Sequence, residues 1–161
     1  MHAFSNGFYH IKRIIDGTNE AIGKGVQLTP VERFLERNKD AQNRPKIVQM
    51  RLKTDYQNLI QSATLFCLAQ MSVGYDDAFL MDNKKYYCSE LLYDAFTFAN
   101  QGKAFFALQP MTFIDPTTSQ NFPAWIDYYD ALKQPIPEGK LGCNPGSIAN
   151  SPFLTTVHIF Y

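Results

Sequence analysis

The stretch Tyr86 to Phe96, YYCSELLYDAF, sets a thiol at the start of an amphipathic run. Leu91, Leu92, Ala95 and Ala99 follow Cys88 at helical spacing, which would make the sulfur part of a buried stripe. Free cysteine often serves that packing role. The position at the start of the helix supports a different role. Amide groups of a first helical turn have no partner within the helix, and with the helix dipole they stabilise a thiolate. Cys88 is therefore read either as a nucleophile or as a core residue.

The other two thiols lack that setting. Cys67 shares a helical face with Tyr56, Leu59, Ile60, Ala63 and Phe66, and reads as core. Cys143 lies in EGKLGCNPGS, a turn-rich loop, and reads as structural. An odd number of cysteines without CxxC spacing indicates neither a disulfide framework nor a zinc site, so no metal or cofactor is expected.

The surrounding elements are legible from periodicity and turn chemistry. FYHIKRII and TNEAIGKGVQL flank Asp16-Gly17, which predicts a hairpin turning at that dipeptide. LTPVERFLER predicts a short helix with Thr29 as N-cap, Pro30 at the first position and Glu32 completing a capping box. KIVQMRL alternates as a strand. Asp55 to Met71 has the period of an amphipathic helix capped by Thr54. The Cys88 helix runs to about Asn100, and a segment dense in Pro, Gly and aromatics leads to a last strand, LTTVHIFY, whose Val157, Ile159 and Tyr161 form its buried face. Within the dense segment, Trp125, Tyr128 and Tyr129 either wall a groove or cover a core. Asp76 and Asp77 read as a solvated turn, and Glu90 as a carboxylate favouring the dipole of the first turn. The order of elements predicts an α+β fold, one domain over residues 1–161, with helices against an antiparallel sheet.

The chain of 161 residues carries 15 basic and 15 acidic side chains, spread rather than clustered. That balance leaves no nucleic-acid footprint. Apolar runs are too short to span a bilayer, and MHAFSNGFYH lacks the pattern of an export signal, so no integral membrane segment is expected. As written, the chain reads as cytoplasmic; the cell envelope is the alternative if an export signal precedes Met1.

The segments EAIGKGVQLTPVERFLER, GYDDAF and YYCSELLYDAF, in that order, resemble the circularly permuted branch of the NlpC/p60 papain-like superfamily, the bacterial YiiX/YaeF-like proteins. The resemblance runs from about Glu20 to Ala99 and extends to MTFIDP, IPEG and NPGSIANSP in the tail. It implies a papain-like sheet or small barrel packed against helices, with the nucleophile at a helix start and the histidine earlier, on a strand. It further implies Cys88 as nucleophile and Glu20 as the acid orienting an imidazole. His10 is the first candidate for that imidazole, set beside Glu20 by the Asp16-Gly17 hairpin. His2 is the second, and His158 a third by chemistry alone. Family members usually show His, a small hydrophobic residue, Gly and an aliphatic residue, whereas this chain has His10-Ile11-Lys12-Arg13 or His2-Ala3-Phe4-Ser5. They also carry a strand with a Gly-Asp element upstream, and the expectation is a domain without that strand.

The same resemblance implies a thiol hydrolase of the amidase or peptidase type, acting through a thioester. Tyr75 and Tyr87 are the expected substrate-binding residues. The implied substrates are small peptides, cell-wall fragments, or lipid-like amides and acyl esters. The competing reading is a catalytically silent binding domain that keeps the fold and Cys88.

Overall fold

The structure, a computed structural model, describes residues 13–18, 25–44, 46–81 and 83–160. Strands β1 (Arg13–Thr18) and β2 (Gly25–Pro30) pair antiparallel and lead into helix α1 (Val31–Arg37). Strand β3 (Ile47–Leu52) is followed by a 3-10 turn (Thr54–Leu59), helix α2 (Ile60–Ala69) and helix α3 (Cys88–Ala99). Two-residue strands β4 (Gln109–Pro110), β5 (Ile114–Asp115) and β6 (Gln120–Asn121) precede helix α4 (Pro123–Leu132). Strand β7 (Leu141–Gly142), helix α5 (Pro145–Ala149) and strand β8 (Leu154–Phe160) complete the order.

This is a mixed α+β architecture of small antiparallel sheets: β1 with β2, β3 with β8, β4 with β7 and β5 with β6. Among the described residues the strands close no barrel, and four separate two-stranded pairs stand in place of the one antiparallel sheet expected. Helices α2 and α3 pack against each other, burying Ala63 and Cys67 of α2 and Leu91, Ala95 and Phe96 of α3. Phe105 extends this core, stacking on Phe96 and lying 4.6 Å from Phe153 between ring centres. Removal of this apolar surface from water is the main force holding the helices to β3, whose last residue, Leu52, joins the same cluster.

Three local expectations are corrected. Asp16-Gly17 is not the hairpin turn: both lie inside β1, opposite Gln27 and Val26 in its antiparallel pairing with β2. The start of β2 is fixed from its other side, where the Val26 amide donates to the Val73 carbonyl and the Ser72 amide donates to the Val26 carbonyl. Those bonds, with Val26 buried, outweigh the local turn preference of Asp-Gly. Thr29 is not an N-cap but a buried residue of β2 paired with Ile14; Pro30 takes the cap position without a side-chain hydrogen bond. In β8, Val157 and Ile159 are exposed. A bulge opposite Gln49/Met50 skips Val157 in the register, and His158 and Phe160 are the more buried positions at that end.

The segment between α2 and α3 ties these parts together. The Tyr86 amide donates to the Gly74 carbonyl and the Asp76 amide donates to the Tyr86 carbonyl, while Tyr75 and Tyr86 form a parallel bridge. The backbone thus runs from β2 through Val73 and Tyr75 to Tyr86, two residues before Cys88. Among the described residues, no helix is long and apolar enough to cross a membrane.

Candidate active site

Cys88 is the first residue of α3, and Tyr87 in extended conformation is its cap. Tyr87 offers no side-chain acceptor to the first-turn amides. Tyr87, Ser89, Glu90 and Leu91 are all buried, and Cys88 between them is exposed. The stripe expected from helical spacing therefore begins at Leu91, not at the thiol. Leu92, also assigned to that stripe, is 37 % exposed. A side chain at the first helical position leans back toward the residues before the helix, and here the sulfur is exposed.

Two clefts meet at this sulfur, and Cys88, Ser89 and Pro145 line both. The first, of about 410 Å³, has an aromatic wall of Phe79, Phe113 and Trp125, with Thr112, Asn144 and Ser147 as polar members. Trp125 packs edge-on against Phe79 and Phe113, so this residue of α4 walls a groove while buried Tyr129 covers core. The second cleft, of about 1000 Å³, runs between the β3–β8 pair, α3 and α5. Charged side chains are sparse: among the described lining residues the first cleft has none and the second has Arg51.

The loop from Cys143 to Ser147 forms the shared edge. Its shape comes from a capping box, in which the Asn144 side chain accepts from the Ser147 amide and Ser147 Oγ accepts from the Asn144 amide. Pro145 occupies the first helical position. N-P-G-S in the sequence carries that signal, which the turn-rich composition obscured. The Cys143 amide donates to Tyr87 Oη at 3.2 Å, fastening the loop to the residue before the nucleophile candidate.

Tyr87 lines the first cleft, but its hydroxyl is engaged with Cys143, so it shapes the wall from within. Tyr75 is half-buried and lines neither cleft. Burial raises its phenol pKa and the neighbouring Cys88 charge raises it further, which keeps the hydroxyl protonated and able to donate. His158 sits on β8 opposite Gln49 and lines neither cleft. His2, His10 and Glu20 lie outside the described residues. The observed register of β1 with β2 removes the tight turn that would have placed His10 beside Glu20.

Asp76 corrects the reading of a solvated acidic pair. It is buried, and its carboxylate accepts from the amides of Ala78 at 2.9 Å and Leu80 at 2.6 Å. This turn sets the Ala78 and Asp77 carbonyls to accept from the Tyr129 and Tyr128 hydroxyls, fixing α4 and with it Trp125. Asp76→Ala strands buried amides and is expected to cost about 3 kcal/mol of folding stability, measured by urea unfolding, with Asp76→Asn costing less.

The thiols differ in accessibility. Burial pushes Cys67 and Cys143 up to about 11, so both stay protonated at neutral pH. At pH 8, iodoacetamide is expected to modify the folded protein once, at Cys88, as read by peptide mass spectrometry. Because the buried thiols ionise near 9.0 once unfolded, the folded state binds more protons above that pH. Stability should fall as pH rises from there toward about 11.

Among the described residues, no group of three His, Cys, Asp or Glu is placed to hold a metal ion. A thiol at a helix start, beside antiparallel strands and at the junction of two clefts, is the architecture of the papain-like class. Residues 15–158 match the family model for the permuted papain-like amidase enzymes YaeF/YiiX, the C92 family, and the chain belongs to that family. The crystal structure of metalloprotein YiiX from Escherichia coli O157:H7 is similar in fold, with a TM-score of 0.62 at 19 % identity. The alignment covers 91 % of this chain and 81 % of YiiX. A comparison with curated proteins gives no match.

Proposed function

We propose that this member of the amidase family is a thiol hydrolase in which Cys88 attacks an amide or ester carbonyl. The observation that carries the reading is the lone exposed sulfur of an otherwise buried first helical turn, placed where two clefts meet. Attack forms a sulfur–carbon bond, and the developing oxyanion takes a hydrogen bond from the Cys88 amide. Collapse breaks the carbonyl–nitrogen or carbonyl–oxygen bond, and the leaving group departs with the proton that an imidazole removed from the thiol. Water then cleaves the thioester to a carboxylic acid and restores the thiol.

His10 or His2 is the base in this reading, and Glu20 orients its ring and stabilises its charged form. Tyr75 serves as a hydrogen-bond donor near the sulfur, and Tyr87 as part of the wall of the smaller cleft. The test is the rate of iodoacetamide modification of Cys88 at pH 7 in the parent, His2→Ala, His10→Ala and Glu20→Gln proteins, with release of aminomethylcoumarin from its acetyl amide measured in parallel. One histidine variant should slow both by at least tenfold. A second reading, a silent papain-like binding domain, is favoured by the Ile11-Lys12-Arg13 and Ala3-Phe4-Ser5 sequences that depart from the family pattern. Equal modification rates in all four proteins, with no coumarin release, would select it.

A further inference from the structure

Resting on Cys88 as the reactive centre, we propose that the larger cleft is an acyl site, taking the aliphatic chain of a medium- or long-chain N-acyl substrate whose carbonyl lies at the sulfur. The two clefts differ in the chemistry of their walls. On the Trp125 side, Thr112, Asn144 and Ser147 interrupt an aromatic surface, which suits a polar leaving group. On the other side Val48, Met50, Ile60, Leu92, Phe106 and Ile148 present mostly aliphatic carbon along a trough of about 1000 Å³. That volume stands at the upper end of small-molecule pockets, far more than one amino-acid side chain needs.

Charge and continuity name the occupant. A charged peptide or cell-wall fragment would bring carboxylates and ammonium groups into a trough where Arg51 is the sole charged member among the described lining residues. Desolvating those groups without partners is costly. An alkyl chain brings none. Cys88 and Ser89 also line the trough, so a chain lying in it can present its carbonyl to the thiol. In that reaction the chain stays on the enzyme as the thioester while the amine leaves through the aromatic cleft, and hydrolysis releases the fatty acid.

The test measures binding apart from catalysis. N-acetyl-, N-hexanoyl- and N-decanoylglycinamide are titrated into the Cys88→Ala protein by calorimetry. Each methylene that leaves water should tighten binding about fourfold, so the decanoyl compound should bind on the order of a hundredfold more tightly than the hexanoyl one. Leu92→Trp, at a part-exposed position of the trough wall, should abolish that gain while its urea unfolding midpoint stays close to that of the parent protein. Equal affinities across the series overturn the acyl site, as they would if another part of the chain filled the trough. A chain-length gain that survives Leu92→Trp places the alkyl chain elsewhere and also overturns it. Acetyl-coumarin release reports the hydrolase reading separately: release without chain-length dependence leaves that reading intact while removing this one.

Discussion

Cys88→Ala is expected to reduce amide hydrolysis by about 10,000-fold or more, with a folding stability within about 0.5 kcal/mol of the parent protein. The two halves of this result test different statements. Loss of activity follows if the sulfur forms the covalent bond, since no other thiol can replace it: Cys67 and Cys143 are buried and held protonated. Unchanged stability follows from exposure. The Cys88 side chain is surrounded by buried residues but is not one of them, so removing its sulfur leaves no cavity. A core cysteine would give the opposite pair, unchanged activity and a loss of stability. Coumarin release and urea unfolding on one preparation read both. Single-site iodoacetamide modification should disappear in the same variant.

How far the sequence carried this site depends on what each signal measures. Helical periodicity located α3 and its beginning, because a chain of apolar residues at three- and four-residue spacing reports one buried face directly. It assigned Cys88 to that face because periodicity takes no account of how a side chain leaves the first turn. Cys67 had the same periodic signal and is indeed core, lying well inside α2 rather than at its first position. The Asp-Gly turn failed for a different reason. A dipeptide preference is local, whereas the β1–β2 register is set by the bonds of Val26 to the distant Val73 and Ser72 segment. The clefts were beyond reach of any local signal. Their walls join residues from α1, β3, α3 and the 143–147 loop, and their shape depends on contacts such as the Cys143 amide on Tyr87 Oη across 56 residues. The family resemblance named Cys88 as the candidate nucleophile without those contacts, since the CSEL and EAIGKGV elements could be matched in order.

Gly25→Ala is the second large effect, and it accounts for one glycine of the EAIGKGV element in physical terms. Gly25 opens β2 with φ of +122°, a backbone conformation that L side chains rarely adopt. A Cβ there would overlap the Val73 carbonyl oxygen and lie 3.0 Å from the Val73 carbonyl carbon and 3.2 Å from Gly74 Cα. Backbone is the obstacle, so no side chain can swing aside. The carbonyl cannot retreat cheaply either, because it accepts from the amide of buried Val26 at 2.9 Å. Strain and the lost bond together should cost about 3 kcal/mol or more, a fall of about 10 °C in Tm for a domain of this size. Gly102, with φ of +80° after the end of α3 and open space where its Cβ would go, isolates the conformational part. Gly102→Ala should cost only about 1 kcal/mol. The excess at Gly25 is then the close approach of β2 to Val73. That approach also bears on Cys88, because Val73 leads into the Gly74 carbonyl and the Tyr75–Tyr86 bridge that fix the chain two residues before the thiol. In protein held well below its Tm, Gly25→Ala should slow acetyl-coumarin release several-fold or more, whereas Gly102→Ala should leave it unchanged. Equal losses of stability in the two variants would show that conformation alone, and not the contact with Val73, keeps glycine at the start of β2.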